Sequence, residues 1–421
     1  MNKRFLTTVR VEGEFLSPVH IGSGQELDPF SCFMVEGYLY YFDLPSVLQT
    51  LGETERNAFL ELANRDDLIG LRRFLSERLG RRKDVSRRIL VSPSVEREFK
   101  AKIDDPRNQL VLQPFLRNQG TFNPVVPGSS IKGAIRTAVI DTLLEEKRLR
   151  LNEESLRDPK RMEKVVLGYN DIDQDPFKAL KVEDVELQPD STILFHVYNY
   201  SPRRGGLTNL GLRFETTRSL LEGRNVTFQT QLQFFDGYHG KTIKQKGYEK
   251  QPISMLIGPE LIIRACNRFY LRNLEEEHDR FYRRTEFDAI SRRLLSFVEN
   301  LGSNECVLRL GRFTQAESKS INRYRKVTVK TARSTYKRME YGTTRNLADG
   351  CFPMGWTLIR FLDWKPDIAA SWKRGWSKRG EIRAERPAKP SHREPVPERD
   401  PTKPLDLSVL KRRFKVKKEK D

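Results

Sequence analysis

Residues 125–150 read VVPGSSIKGAIRTAVIDTLLEEKRLR, the strongest local signal in the chain. Pro127-Gly128 makes a turn, and Ser129 or Ser130 can cap the helix that follows. Ile131, Ile135, Val139 and Leu143 then recur at helical spacing and line one face. Free N–H groups at a helix start favour an anion, and Lys132 and Arg136 project from the first turns. The pattern fits a phosphate-binding turn; it fits a well-capped structural helix equally. It is not a nucleoside triphosphate loop. Gly128 to Gly133 has the glycine spacing, but Ala134-Ile135 stand where Lys-Ser/Thr is required.

Outward from this helix, both flanks carry strand patterns. Toward the start, Phe5, Thr7, Val9 and Val11 alternate with Leu6, Thr8, Arg10 and Glu12, the period of a half-buried strand. A loop, SPVHIGSGQELDP, leads to FSCFMVEGYLYYFDL, a hairpin turning at Glu36-Gly37. Leu68, Leu71, Phe74, Leu75 and Leu79 have helical spacing within 45–79, and GRRKDVSRR follows as a basic connector. Toward the end, 170–190 reads as a polar, acidic loop. STILFHVYNY, GLRFETT and NVTFQTQLQFF read as strands, with the basic loop SPRRGGLTN after the first. A second amphipathic helix spans roughly 260–300 and breaks near Glu275. The strands CVLRL and GWTLIRFL close the pattern. Composition from 365 to 421 shifts to Lys, Arg, Pro and Glu without a core pattern, which predicts a basic flexible tail. The expected fold class is α+β. It has two halves, 1–190 with a helical insertion at about 45–110 and 191–364, each a modified β-α-β-β unit.

The chain has 421 residues, of which 37% are hydrophobic, enough to bury a real core. Its 76 Lys and Arg against 57 Asp and Glu leave +19, which favours a polyanion partner. Aromatic residues inside the basic segments turn the choice toward RNA, whose exposed bases stack on rings. No signal peptide and no membrane-spanning apolar run appears, and a reducing cytoplasm is expected. Cys32, Cys266, Cys306 and Cys351 form no CxxC pair and the five histidines are dispersed, so neither disulfides nor a metal site is expected.

Several segments are candidates for contact with RNA. His20, Gly22, Ser23 and Gly24 form a tight loop, where His20 serves as an RNA contact, as a base, or as a packed histidine at a strand end. Glu26 and Asp28 nearby suit a metal or a base, but two acids in a polar loop are usually solvated. Arg309 to Arg345 is densely basic with Phe313, Tyr324, Tyr336 and Tyr341 interleaved, so its cations can neutralise phosphates while its rings stack bases. Gly311, Lys319, Arg323 and Arg325 lie in it. Arg203 and Arg204, with Gly205 and Gly206, form a shorter basic loop. No nucleophile–base–orienter pattern emerges.

Four motifs in order, SPVHIGSG (17–24), VPGSSIKGAIRTA (126–138), DPFKALKVED (175–184) and PMGWTLIRFL (353–362), resemble the RAMP superfamily of CRISPR proteins. Within it they resemble the fifth-subunit family of type III-A (Csm) effector complexes, over roughly residues 5–362. The resemblance implies ferredoxin-like, RRM-derived halves forming a RAMP palm, with inserted helices and a thumb-like hairpin at about 195–250. It implies a non-catalytic, cofactor-free subunit that caps the 3′ portion of the CRISPR RNA and assists guide maturation and assembly. The implied partners are the guide, target RNA, the adjacent Csm backbone subunit, the small Csm subunit and host nucleases. The segments at His20–Gly24 and at Gly128, Ser129, Ser130, Lys132 and Arg136 would be RNA-facing.

Two departures from the family stand out. LRLGRFTQAESKS keeps Gly311, Ser318 and Lys319 where relatives carry a glycine-rich loop. DPFSCFM offers Asp28, but no aspartate nearer the strand, where the target-cleaving backbone subunit has one. The alternatives are a metal-independent RAMP endoribonuclease that processes repeat RNA, with His20 or a Tyr/Lys pair as acid and base, and a basic RNA-binding module outside CRISPR.

Overall fold

The computed structural model describes residues 6–365 except 81–86, 106, 108–109, 153–157, 236–242, 246–247, 251–252, 254 and 331–335. The tail from 366 onward lies outside the described residues.

Alternation in the first strand places the central sheet. Val9, Val11 and Phe15 of Leu6–Phe15 are buried while Leu6 and Arg10 face out. This strand is third of five, in the order Glu305–Arg309, Trp356–Phe361, Leu6–Phe15, Thr227–Phe235, Leu180–Val182. All four pairings are antiparallel, and Val11 lies between Phe361 and Thr230. A second sheet runs Phe352–Pro353, Arg345–Ala348, Thr192–Ser201, Arg88–Val91, Tyr38–Tyr41, Cys32–Val35. Gly206–Thr217 also pairs with Thr192–Ser201, and with the short Leu112–Gln113. Each sheet therefore takes strands from both sides of residue 190. The fold is α+β with two large sheets.

Helix Gly128–Glu146 lies in the largest core. Ile131, Ile135, Val139 and Leu143 are buried as their spacing predicts, each contributing about 2 kcal/mol as an upper estimate. Asp141, Thr142 and Leu144 are buried too, so the helix is enclosed on more than its apolar stripe. It packs against helix Pro259–Cys266, strand Leu180–Val182 and helix Pro159–Leu167, and Tyr270 donates its hydroxyl to the Ala134 carbonyl at 3.0 Å.

The hairpin at Glu36-Gly37 forms as expected, with both residues at positive φ. Helices Leu44–Thr50, Glu53–Asn64, Leu68–Gly80 and Pro93–Lys102 follow this hairpin, with the sheet strand Arg88–Val91 among them. Two expectations change. The segment 170–190 is not simply a loop. Leu180–Val182 joins the central sheet and Val185–Glu186 pairs with Val125–Val126, because buried Leu180 and Val185 anchor a chain whose charges face out. The second helix does not end near Glu275; wide π turns carry it through Tyr282, and it breaks at 283–287, where Arg284 takes φ 59°.

Candidate nucleic-acid interface

Gly128, Lys132 and Arg136 stand at i, i+4 and i+8 on one face of the central helix, and all three grip the DPFKALKVED segment. The Gly128 N–H donates to an Asp184 carboxylate oxygen at 2.7 Å. Lys132 donates to the Leu180 carbonyl at 2.8 Å, and burial and the charge of Lys181 hold its ammonium below the ordinary value. Arg136 bonds Asp175 at 2.9 and 3.1 Å and Glu163 at 2.6 Å, over the Phe177 ring. Ser129 and Ser130 do not cap this helix. Pro127 is the N-cap and makes no side-chain cap bond, and the carboxylate of Asp184 takes the role instead. Gly128 itself is buried, and a β-carbon there would stand 2.1 Å from the Val182 carbonyl oxygen. Only glycine permits that approach. Ser129 stays exposed and Ser130 half-buried.

The motifs SPVHIGSG and PMGWTLIRFL meet LGRF of 310–313 through the backbone. Trp356 N–H donates to Ser17 Oγ at 2.9 Å, and the Trp356 carbonyl accepts from Leu16 and Ser17. Gly355 N–H reaches the Pro18 carbonyl at 2.8 Å, Leu310 N–H the Gly355 carbonyl at 2.7 Å, and Arg312 N–H the His20 carbonyl at 2.8 Å. Gly311 sits at φ 83° with the His20 carbonyl 2.2 Å from where a β-carbon would be. A side chain fits neither the dihedral nor the space.

His20 lies beneath this junction and is 2% exposed. Its Nδ1–H donates to the Glu215 carbonyl at 2.6 Å, and its ring packs edge-on against Phe214 with centroids 4.8 Å apart. Burial lowers its pKa, so the ring is neutral near pH 7. Of the three readings of His20, the structure places it as the packed histidine at a strand end. Glu215 is itself fully buried and receives Arg117, the Thr192 hydroxyl and the Phe115 N–H, the last at 2.8 Å.

Outside His20 the chain is open. Gly22, Ser23, Gly24, Gln25 and Glu26 are exposed, as are Arg312 and Lys319 on the facing loop. Arg312 lies over the rings of Phe214 and Phe313 at 5.1 and 5.7 Å. Desolvation and the charges of Arg309 and Arg312 hold the Lys319 ammonium below its ordinary value. Among the described residues no carboxylate pairs with Arg312 or Lys319. Two segments that the sequence shows almost three hundred residues apart thus make one surface: a glycine loop beside two cations. Arg312 is the member that residue-by-residue reading missed; its place opposite the HIG segment is visible only in the fold.

Three other cations of this segment, Arg309, Arg325 and Arg345, are buried. Arg309 and Arg345, both 2% exposed at the side chain, share Glu277, and Arg345 also pairs with Glu317 at 3.0 Å. Arg325 is buried and donates to the Glu317 carbonyl at 3.3 Å. Tyr341 has Arg280 over its ring at 3.7 Å and Arg325 at 5.1 Å, so cations hold its faces. The side chains of Arg323 and Tyr336 are outside the described residues. Arg203 and Arg204 are exposed at a separate place, the tip of the hairpin between Thr192–Ser201 and Gly206–Thr217. Asp28 bonds its own turn, accepting from Phe30 N–H at 2.9 Å, and Glu26 accepts from Gln113 at 2.6 Å. Among the described residues no group of His, Cys, Asp or Glu is arranged to hold a metal, and no helix is long and apolar enough to cross a membrane.

The RAMP superfamily model matches residues 12–336, and the chain belongs to that superfamily. Among individual proteins it is similar to the CRISPR system Cms protein Csm5 of Methanocaldococcus jannaschii, 27% identical over 190 residues. That match takes in 42% of this chain and 42% of the relative, so the chain spans about two-fifths of that relative's length. In fold it is similar to a chain of the cryo-EM Csm–crRNA–target RNA ternary complex of a type III-A CRISPR-Cas system, with TM-score 0.57 and 21% identity over 84% of this chain and 100% of that one. The crystal structure of T. onnurineus Csm5 aligns with TM-score 0.50 and 18% identity, over 82% of this chain and 99% of that one.

Proposed function

We propose that this chain is a Csm5-type subunit of a type III-A CRISPR effector complex and holds the 3′ portion of the guide RNA without cleaving it. The observation that carries the reading is the surface made by exposed Gly22–Gly24 with Arg312 and Lys319, two cations beside a backbone that a strand can approach closely. Cations there supply sequence-independent affinity for phosphates, and exposed backbone amides position the strand. RAMP membership and similarity to Csm5 support the assignment to the complex. In this reading the hairpin Thr192–Thr217, with Arg203 and Arg204 at its tip, is the thumb that shapes the strand's path. The sheets are then the palm, built from ferredoxin-like halves. The neighbours are the adjacent Csm backbone subunit, the small subunit, target RNA and trimming nucleases, in the cytoplasm.

The ribonuclease alternative needs His20 or a Tyr/Lys pair at a ribose 2′-hydroxyl, and the burial of His20 under Phe214 weighs against the first of these. Purified protein should bind repeat-derived single-stranded RNA with affinity that falls steeply between about 50 and 200 mM salt, and leave it uncut. Affinity insensitive to salt, or cleavage lost on His20→Ala, defeats the proposal.

A further inference from the structure

Helix Pro159–Leu167 turns Val166 and Leu167 into the core and leaves Lys160, Arg161, Lys164 and Val165 outside. Lys160 and Lys164 stand at i and i+4, so they share the outward face, and Gly168 ends the helix at φ 71°. Tyr169 and Asn170 in the following turn form the other wall of a groove of about 740 Å³.

The groove is built rather than incidental. Lys164 crosses to the Asn170 carbonyl at 2.8 Å, and the Tyr169 hydroxyl accepts from Arg136 at 3.3 Å, which ties the outer wall to the central clamp. Asp158, the acid among the lining residues, is occupied as the helix cap, accepting the Lys160 N–H at 2.9 Å. It is outnumbered by Lys160, Arg161 and Lys164, so the described lining is net cationic. Aliphatic side chains are presented to solvent in this stretch, Val165 at 47% exposure in the groove and Ile172 at 67% two residues after Asn170, between Asp171 and Asp173.

Cations alone would suit a phosphate strand, but exposed aliphatic side chains offer it nothing. A protein segment with carboxylates along one edge and apolar side chains along the other uses both. We infer that this groove receives an acidic amphipathic segment of a neighbouring protein subunit in the assembled complex. The inference rests on reading the chain as a complex subunit.

The test places the photoreactive residue p-benzoylphenylalanine at Val165 of the full chain and reconstitutes it with the products of the neighbouring genes and guide RNA. Irradiation should crosslink it to a protein subunit within a stretch rich in Asp and Glu. Lys160→Glu with Lys164→Glu should lower that yield about tenfold and leave RNA affinity within about twofold. A crosslink to RNA, a large loss of RNA affinity in the charge-reversed protein, or a silent probe in an assembled complex overturns the inference. If the unsubstituted chain neither assembles nor binds RNA, the parent proposal fails instead, and the two outcomes are distinct.

Discussion

The backbone N–H of Gly128 donates to the Asp184 carboxylate at 2.7 Å, so the N-terminus of the central helix is already occupied by an anion from the chain itself. That bond joins the second and third sequence motifs. With Lys132 on the Leu180 carbonyl and Arg136 on Asp175, it explains why the two motifs occur together. Gly128→Ala would put its β-carbon against the Val182 carbonyl oxygen, a backbone atom that cannot swing aside. The expected loss is about 3 kcal/mol or more, whereas Asp184→Ala removes only a cap and costs about 1 kcal/mol. Urea unfolding of both variants measures the difference, and a Gly128→Ala protein of native stability contradicts the close approach.

Arg136 is half-buried between Glu163 and Asp175, and its charge is answered inside the fold. Arg136→Ala should destabilise the protein by about 2 kcal/mol, since it leaves two carboxylates partly desolvated. It should leave the salt slope of RNA binding unchanged. A smaller slope with unchanged melting would reassign Arg136 to the RNA.

Arg312 and Lys319 should behave in the opposite way. Each alanine substitution should reduce the slope of log affinity against log salt by about 1, uniformly across RNA sequences, with little change in stability. Filter binding across a salt series reads this directly. An unchanged slope in the double variant removes the proposed surface.

Glu277 holds Arg309 at 2.6 and 3.0 Å and lies 3.0 Å from Arg345, with all three side chains 2% exposed. Glu277→Gln leaves the buried Arg309 guanidinium with a neutral partner, while Arg345 keeps Glu317 at 3.0 Å, and the expected cost is about 3 kcal/mol. A melting temperature within a degree or two of the parent would show that the charges reach water.

Asp141 is buried in the central helix and accepts from the Asn322 N–H at 2.8 Å. Burial pushes its pKa up to about 6, against the opposing Asn322 bond. The folded protein then keeps a proton that the unfolded chain releases near pH 4. Its contribution is complete below that pH and is lost as pH rises through 6, by up to about 3 kcal/mol. Asp141→Asn keeps an oxygen acceptor for Asn322 and should flatten stability across this window. Denaturant midpoints from pH 4 to 8 provide the check.

Alternation, helical spacing and turn residues made most elements legible. The Leu6–Phe15 strand, the Glu36-Gly37 hairpin and the buried stripe Ile131–Leu143 follow from local pattern, because side-chain period dictates which residues meet the core. The strand Leu180–Val182 escaped notice because it is three residues long and flanked by charge, and its pairing with Thr227–Phe235 supplies the order its own sequence lacks. The helix break fell at Arg284 instead of Glu275 since wide π turns keep the helix continuous where composition suggests an end.

Charge told less about position than about partner. A sequence with +19 favours a polyanion as partner, but it does not separate Arg312, which faces water, from Arg309 three residues earlier, which is sealed against Glu277 and the ring of Trp356. Composition and motif order pointed to the superfamily, which the family match bears out, and suggested the ligand class proposed above. Only the tertiary structure decided which glycines admit another backbone and which cations are left without a carboxylate, because both depend on neighbours from other elements of the chain.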